Sequence, residues 1–352
     1  MPAAVMVADQ VDAVIGVDTH TDTHTAVLTD SLGGWLAEVS VSTDRAGYAR
    51  LIDWAVTHSP GPRLLWAVEG ARSHGVGLTR ALAAARQRVI EAPKPARASR
   101  RSGGKSDSAD ALAAARAVLA AEHLADPRAD GVREELRTLL VTRRHYTDTR
   151  TATINLIKSL ILTADEALRE QLRGLSTAKQ LRASAALSPT SAPAGHLQRH
   201  TELATLAGHA RSLTTSLRDN NKRLTAAVTA TMPALLAEHG VGPVTAAILL
   251  TTWSHPGRFR NEAAYASLSG VSPIPASSGR TIRHRLNRGG DRTLNAALHI
   301  IVNTRWRDDP NTITYINRRR AEGKTDPEIR RILKRYTARH LYRTMQKNAP
   351  TT

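Results

Sequence analysis

Four carboxylates in the first third of the chain stand where acids can act together: Asp18, Glu69, Asp107 and Asp110. Asp18 closes the apolar run Val14-Ile15-Gly16-Val17, and Glu69 closes Leu64-Leu65-Trp66-Ala67-Val68. Asp107 and Asp110 open an alanine-rich stretch three residues apart, which on a helix puts them on one face. Acids at strand ends and on an adjoining helix turn can converge at one edge of a sheet. Close together they stay ionised only if cations neutralise them. Mg²⁺ is the expected cation, being hard, oxygen-seeking and commonly shared with substrate phosphates. Two such ions roughly 4 Å apart can hold the attacking and leaving oxygens of an in-line phosphoryl displacement. Each acid also has a plainer reading. Asp107 and Asp110 can simply favour a helix N-terminus, Asp18 can be a turn residue, and Glu69 can pair with Arg72.

The elements that must hold these acids can be read from pattern. Val14–Val17 reads as a strand, Thr25–Leu28 as its hairpin partner, and Trp35–Val41 as a third strand. A helix near Tyr48–Ala55, the strand Leu64–Val68, a helix Leu78–Ala85 and a short strand Arg88–Glu91 follow, with Pro93 as its stop. A basic Gly- and Ser-rich loop, residues 100–106, leads to the helix Ala109–Ala121. That order predicts a mixed sheet flanked by helices over residues 12–125. Residues 130–230 are expected to be helical and elongated. Residues Glu134–Ala167 contain no Pro or Gly, and Leu203, Leu206, Ala210, Leu213, Leu217, Asn220 and Leu224 recur at spacings of three and four. This is a short heptad seam with one polar insertion. It could join two copies of the chain or pack within one, and the expectation is a homo-oligomer. Residues 231–346 form a third, mainly helical region. There Gly240-Val241-Gly242-Pro243 suggests a helix-hairpin-helix-like turn whose N–H groups could cradle a phosphate. The fold class is therefore α/β plus all-α.

Charge points to the partner. The chain carries 49 Lys and Arg against 31 Asp and Glu, a net +18, and residues 254–352 hold 20 basic and 7 acidic residues. Thirteen of the eighteen excess charges thus sit in the last hundred residues, as expected for a grip on a polyanion. Aromatic residues are only 3% of the chain. That scarcity argues against a platform on which the protein itself reads unpaired bases. There are no cysteines, which excludes disulfides and thiolate metal sites. Neither a signal peptide nor an apolar run of membrane-spanning length is read, and a cytoplasmic location is expected.

The segments VIGVDTH, LLWAVEG and GGKSDSADALAAARA together resemble the carboxylate tetrad of RuvC-like nuclease domains. More narrowly, the chain resembles bacterial insertion-sequence transposases that join such a domain to a C-terminal serine transposase domain. The pattern Lys-x-Asp-x-x-Asp-Ala is met by Lys105, Asp107, Asp110 and Ala111, with Lys105 as a nucleic-acid contact. GVGPVTAAILL and RFRNEAAYASLSGVSPIPASSGRTIRHRLNRGGDRTLNAALH resemble the second domain. The resemblance runs from about residue 13 to 345. One departure follows Glu69, where many members have Thr-Gly and an aromatic and this chain has Gly70-Ala71-Arg72-Ser73-His74-Gly75.

The resemblance implies a serine that attacks the DNA phosphodiester to give a protein–DNA ester. Ser277 and Ser278 are the candidates, and the pattern places the nucleophile directly before Gly, which selects Ser278. A serine hydroxyl needs a base or a metal to activate it. Arg280, Arg283, Arg285 and Arg288 follow and could stabilise charge on the phosphoryl group. Arg318-Arg319-Arg320 and the run from Arg330 to Arg335 are expected on phosphate backbone. The resemblance further implies a guide RNA encoded by the element, pairing with donor and target DNA. Two other readings stay open: a junction-resolving nuclease without a serine intermediate, and a non-enzymatic nucleic-acid-binding protein.

Overall fold

The computed structural model describes residues 6–92, 106–121, 124, 126–188, 190, 195–276, 284–285, 287 and 289–349. The chain packs as two compact units, residues 1–129 with 257–260, and residues 130–256 with 261–352.

Unit 1 is built on a five-stranded mixed sheet. After a short helix α1 (Val7–Gln10) come β1 (Ala13–Thr19), β2 (Thr23–Asp30), β3 (Trp35–Ser42), α2 (Arg45–His58), β4 (Leu64–Val68), α3 (Val76–Ala84), β5 (Arg88–Glu91) and α4 (Asp107–Leu119). The strand order is β3-β2-β1-β4-β5, with β1–β2 and β2–β3 antiparallel and β1–β4 and β4–β5 parallel. All seven residues of β1 are buried, as its central place between two faces of packing requires. Alternation sorts its side chains. Ile15 and Val17 join Trp66, Val68, Leu51, Leu78 and Leu82 in the core under α2 and α3. Val14 joins Leu65, Ala67, Ala114, Ala115 and Val118 in the core under α4. Trp66 is fully buried, and its indole N–H donates to Gln87 at 3.1 Å.

Gly16 shares the α4 face of β1 with Val14, and there the helix backbone nearly touches the strand. A Cβ on Gly16 would lie 1.9 Å from the Ala111 carbonyl oxygen and 2.8 Å from the Ala115 nitrogen. Only glycine allows this approach. The helix is capped by Ser106, whose hydroxyl accepts from the Ala109 N–H at 3.2 Å, and Arg116 anchors it to the Gly33 carbonyl at 3.0 Å.

Unit 2 is helical apart from one small two-stranded ribbon among the described residues. Its elements are α5 (Val132–Leu162), α6 (Glu166–Arg173), α7 (Thr177–Ala185), α8 (Leu197–Thr231), α9 (Pro233–Leu236), α10 (Pro243–Trp253), α11 (Glu262–Leu268), β6 (Ile274–Pro275), β7 (His284–Arg285), α12 (Arg292–Asp308), α13 (Pro310–Ala321) and α14 (Asp326–Lys347). Helices α5 and α8 form an antiparallel pair. Asn220 donates to the Leu139 carbonyl at 2.9 Å, Arg150 to Thr214 at 2.7 Å and Arg199 to the Leu160 carbonyl at 2.7 Å. Leu203 and Ala210 are buried together with Ile154, Ile157 and Ile161, and Leu213, Asn220 and Leu224 are buried as well. Of the two readings of the heptad seam, the structure shows the one within the chain: α8 packs on α5, with Leu203, Ala210, Leu213, Asn220 and Leu224 buried and Leu206 and Leu217 half-buried. The polar position Asn220 sets register inside the hairpin rather than between subunits. Helix α10 is apolar all round, as a helix buried on several sides should be; the fully covered Ala246, Ala247 and Leu249 are its centre.

Candidate metal centre and nucleic-acid surface

The register of β1 and β4 places the first two acids. Val17 pairs with Val68, so Asp18 and Glu69 occupy equivalent positions at the carboxyl ends of neighbouring parallel strands, and the Glu69 N–H donates to the Val17 carbonyl at 3.0 Å. By alternation Asp18 falls on the same face as Val14 and Gly16, toward α4. Immediately after Glu69 the backbone of Gly70 takes φ +61°, a left-handed turn suited to glycine, and Thr19 donates to the Glu69 carbonyl at 2.9 Å. These contacts hold the chain at the sheet edge.

Helix α4 brings the next acid to meet them. Its first residue, Asp107, and the strand residue Asp18 converge on His20, whose Nε2 is 3.2 Å from Asp18 Oδ2 and 3.3 Å from Asp107 Oδ1. That nitrogen is buried, and the two carboxylate oxygens lie at ion-pair distance from it but outside hydrogen-bond geometry. One ligand atom from each of Asp18, His20 and Asp107 fits within a 4.8 Å cluster. Asp18 is nearly buried, whereas Asp107 stands half exposed, so the cluster opens toward solvent on the helix side. Glu69 and Asp110 lie on the flanking elements and do not enter that 4.8 Å cluster. Two negative groups and one imidazole, with an orphaned buried nitrogen aimed between them, are a donor set that suits a divalent cation.

Glu91, at the end of β5, shows how the same sheet edge treats an acid differently. It pairs with Arg128 at 2.8 Å and Arg258 at 3.5 Å. Burial pushes its carboxyl up, but the two guanidinium groups together hold it below the ordinary glutamate range. It is neutralised within the chain and has no need of a metal.

The sites expected in unit 2 are partly described. Ser277, Ser278, Arg280, Arg283 and Arg288, like Lys105 of unit 1, lie outside the described residues. Arg285 is exposed and lines a cavity of about 700 Å³ with Lys324, Arg331, Lys334 and Arg335. At the glycine turn, Gly240 takes φ +78° and packs against the Ile301 carbonyl of α12. The Gly242 N–H donates to Thr245 at 2.9 Å and the Val241 N–H to the Glu238 carbonyl at 3.0 Å. Those two amides of the expected cradle are therefore used to close the turn. Arg318 and Arg319 pair with Glu322 at 3.9 and 2.6 Å, and Arg320 with Asp326 at 2.8 Å. The three consecutive arginines are thus also committed to carboxylates of their own chain.

A family model described as a transposase, of the DEDD type named for IS110, matches residues 15–164. A second, described as transposase of the IS116/IS110/IS902 family, matches residues 232–317. The chain belongs to the IS110/IS116/IS902 transposase family. Among its relatives is an uncharacterized 42 kDa protein of insertion element IS900 from Mycobacterium paratuberculosis, 25% identical over 88% of this chain and 89% of its own length. Another is an uncharacterized 43.6 kDa protein of insertion element IS110 from Streptomyces coelicolor, 39% identical over 94 residues, which are 26% of this chain and 23% of the relative. In this transposase the first match spans Asp18, Glu69, Asp107 and Asp110, and the second spans Gly240, Gly242, Ser278 and Arg285. No helix among the described residues is long and apolar enough to cross a membrane.

His20 is the residue that reading the sequence passed over. The signal was present: it follows Asp18 by two positions, the strand period, and so continues the same face.

Proposed function

We propose that this transposase cuts and rejoins DNA at a RuvC-like carboxylate centre made of Asp18, Glu69, Asp107 and Asp110, with His20 as a further donor. The observation that carries the reading is the convergence of Asp18 and Asp107 on an unbonded His20 nitrogen at the carboxyl edge of the central strand. The order Asp18, Glu69, Asp107, Asp110 also spells the Asp-Glu-Asp-Asp of the matching family model. Mg²⁺ is the cation the proposal assigns, held by the carboxylates. When bound it would polarise a phosphoryl oxygen and lower the pKa of the attacking hydroxyl. The protein's own contribution is positional. Glycine at position 16 fixes the distance from α4 to β1, and hence Asp107 to Asp18. The half-exposed Asp107 is open to a substrate, while Asp18 sits nearly buried behind it. Glu69, after β4, and Asp110, one helical turn beyond Asp107, would complete the set of acids that holds the cation.

Ser278 is the proposed nucleophile. Its hydroxyl oxygen bonds to the scissile phosphorus, the sugar oxygen leaves with a proton, and the phosphodiester is kept as a serine ester. Rejoining reverses the exchange at a new sugar hydroxyl and needs no outside energy source. Arg285 stabilises the negative charge that develops on the phosphoryl group. The proposal also keeps an element-encoded guide RNA and assembly of more than one copy, since donor and target DNA must be held together. The DEDD character of the first match favours a second reading, in which water attacks and free DNA ends result. A denaturing gel of labelled DNA separates the two. Wild type should give a protease-sensitive shifted band, absent in Ser278→Ala and retained in Ser277→Ala. Cleaved free DNA from Ser278→Ala, with no adduct in any variant, would establish the nuclease reading instead.

A further inference from the structure

Helix α12 carries one stripe that its core does not use. Leu294, Ala297, Leu298, Ile301 and Val302 face inward and are buried. His299, Asn303 and Trp306 recur at spacings of four and three on the outer side and share a cleft of about 430 Å³ with Arg330 of α14. The Arg330 guanidinium lies 4.3 Å from the Trp306 ring centroid, and Arg320 lies 5.6 Å from it. The two arginines differ in state. Arg320 is clamped by both oxygens of Asp326 at 2.8 and 2.9 Å, whereas Arg330 has no ion pair or hydrogen bond with a described residue. Its nearest described contact is the indole, and Asp326 acts on it only at longer range.

We propose that this cleft is a binding site for an unpaired nucleobase of a single-stranded nucleic acid, stacked on Trp306 and Arg330, with Asn303 and His299 reading its edge. The chemistry is specific to that ligand class. An indole face beside a guanidinium plane offers flat, polarisable surfaces that any base can stack on. One Asn303 N–H donates to His299 Nε2 at 3.0 Å, which fixes the amide and leaves its second N–H and its oxygen for the base edge. Burial, with Lys334 and Arg330 nearby, holds His299 below the ordinary imidazole range, which suits a neutral ring whose Nε2 accepts from Asn303 and whose Nδ1–H is the donor left for a ligand. Phosphates flanking the base have their own ground. The next residues along α14, Arg331, Lys334 and Arg335, turn into the basic cavity that Arg285 also lines. A duplex cannot use the cleft, because its base faces are already stacked.

The site rests on the reading of the chain as a nucleic-acid enzyme but on no step of its catalysis, so the test is made in chelator with cleavage switched off. Anisotropy of labelled twenty-residue oligo-dT, oligo-rU and a duplex of equal length is followed against the full-length chain at several salt concentrations. Trp306→Ala should weaken single-strand binding by about tenfold, leave duplex binding within about twofold, and leave the salt slope unchanged. Trp306→Phe should recover most of the loss, as stacking requires, and the unchanged duplex binding of Trp306→Ala excludes a folding defect. Arg330→Ala should weaken single-strand binding and also lower the salt slope by about one. The dT and rU arms identify the source: a loss confined to rU assigns the site to RNA, and one confined to dT assigns it to a displaced DNA strand. Unchanged single-strand affinity in Trp306→Ala, or an equal loss for duplex and single strand, would overturn the proposal. On an Asp18→Asn background Trp306→Ala should give the same selective loss of single-strand binding, so failure of the catalytic reading would not be mistaken for failure of this one.

Discussion

In unit 2 the carboxylates of Glu238 and Glu262 are each answered by arginine, whereas at the sheet edge of unit 1 Asp18 and Asp107 face each other across a single imidazole. Glu262 lies 3.3 Å from Arg335 and 2.9 Å from Arg339. Burial raises its carboxyl, but Arg335, Arg339 and Arg343 outweigh that and hold it low. Glu238 meets His340 at 2.7 Å and Arg305 at 3.5 Å. These acids fasten helices α9, α11, α12 and α14 together and leave no charge to spare. Among the described residues, Asp18 and Asp107 have acid on acid, one histidine and no arginine. An excess of negative charge that the fold builds and does not neutralise is a place for a cation. Glu91 makes the same comparison inside unit 1, since it shares the sheet edge and is answered by two arginines.

The largest expected effect comes from breaking the un-neutralised edge. Asp18→Asn or Asp107→Asn should lower DNA strand transfer on the order of a thousandfold, as losing a group that supports transition-state charge does. In chelator, Asp107→Asn should melt no lower than wild type, because it removes one of two facing negative charges. A large drop in its melting temperature would mean that Asp107 is a structural cap instead. Next comes Gly16→Val, which drives a side chain into the Ala111 carbonyl. It should destabilise unit 1 by about 3 kcal/mol in chemical denaturation and lose metal affinity through the displaced helix.

Glu91→Gln should cost about 2 kcal/mol by leaving the buried Arg258 without its charge partner. The sign with pH follows from the lowered carboxyl. A depressed folded pKa gives stability that is fully present above the unfolded value and is lost as pH falls through the folded one. The gap between wild type and Glu91→Gln should therefore be full at pH 7 and shrink as the pH is taken below about 4. A gap that widens in acid would show that the arginine pairs do not hold Glu91.

Much of this edge was legible in the chain itself. The runs Val14–Val17 and Leu64–Val68 are buried strands because apolar, partly β-branched side chains face two cores, and an acid at the end of each marks the rim. What stayed hidden depends on partners far along the chain. Glu91 and Arg128 are 37 positions apart, and nothing local joins them. The seam of α8 announces a neighbouring helix but not whose, and α5 of the same chain supplies it through Leu139 and Arg150. Scarce aromatics argued against a stacking platform, yet a count carries no geometry. Trp306 lies under Arg330, and Tyr315 lies 6.1 Å from Tyr336 beneath Arg318 and Arg319. The helix ends were also blurred: α2 begins at Arg45 because Asp44 accepts the Gly47 N–H at 2.7 Å, a cap visible only once its geometry is known.

The central claim is that the acid edge of unit 1 is built for a divalent cation, and titration of Mn²⁺ into the metal-stripped full-length chain tests it most directly. Mn²⁺ shares the oxygen-rich octahedral preference of Mg²⁺ and tolerates an imidazole. Wild type should bind with measurable heat, Asp18→Asn and Asp107→Asn should lose at least about tenfold in affinity, and Glu91→Gln should bind as wild type does. Equal Mn²⁺ affinity in all four proteins, or no binding to any of them, would contradict the account.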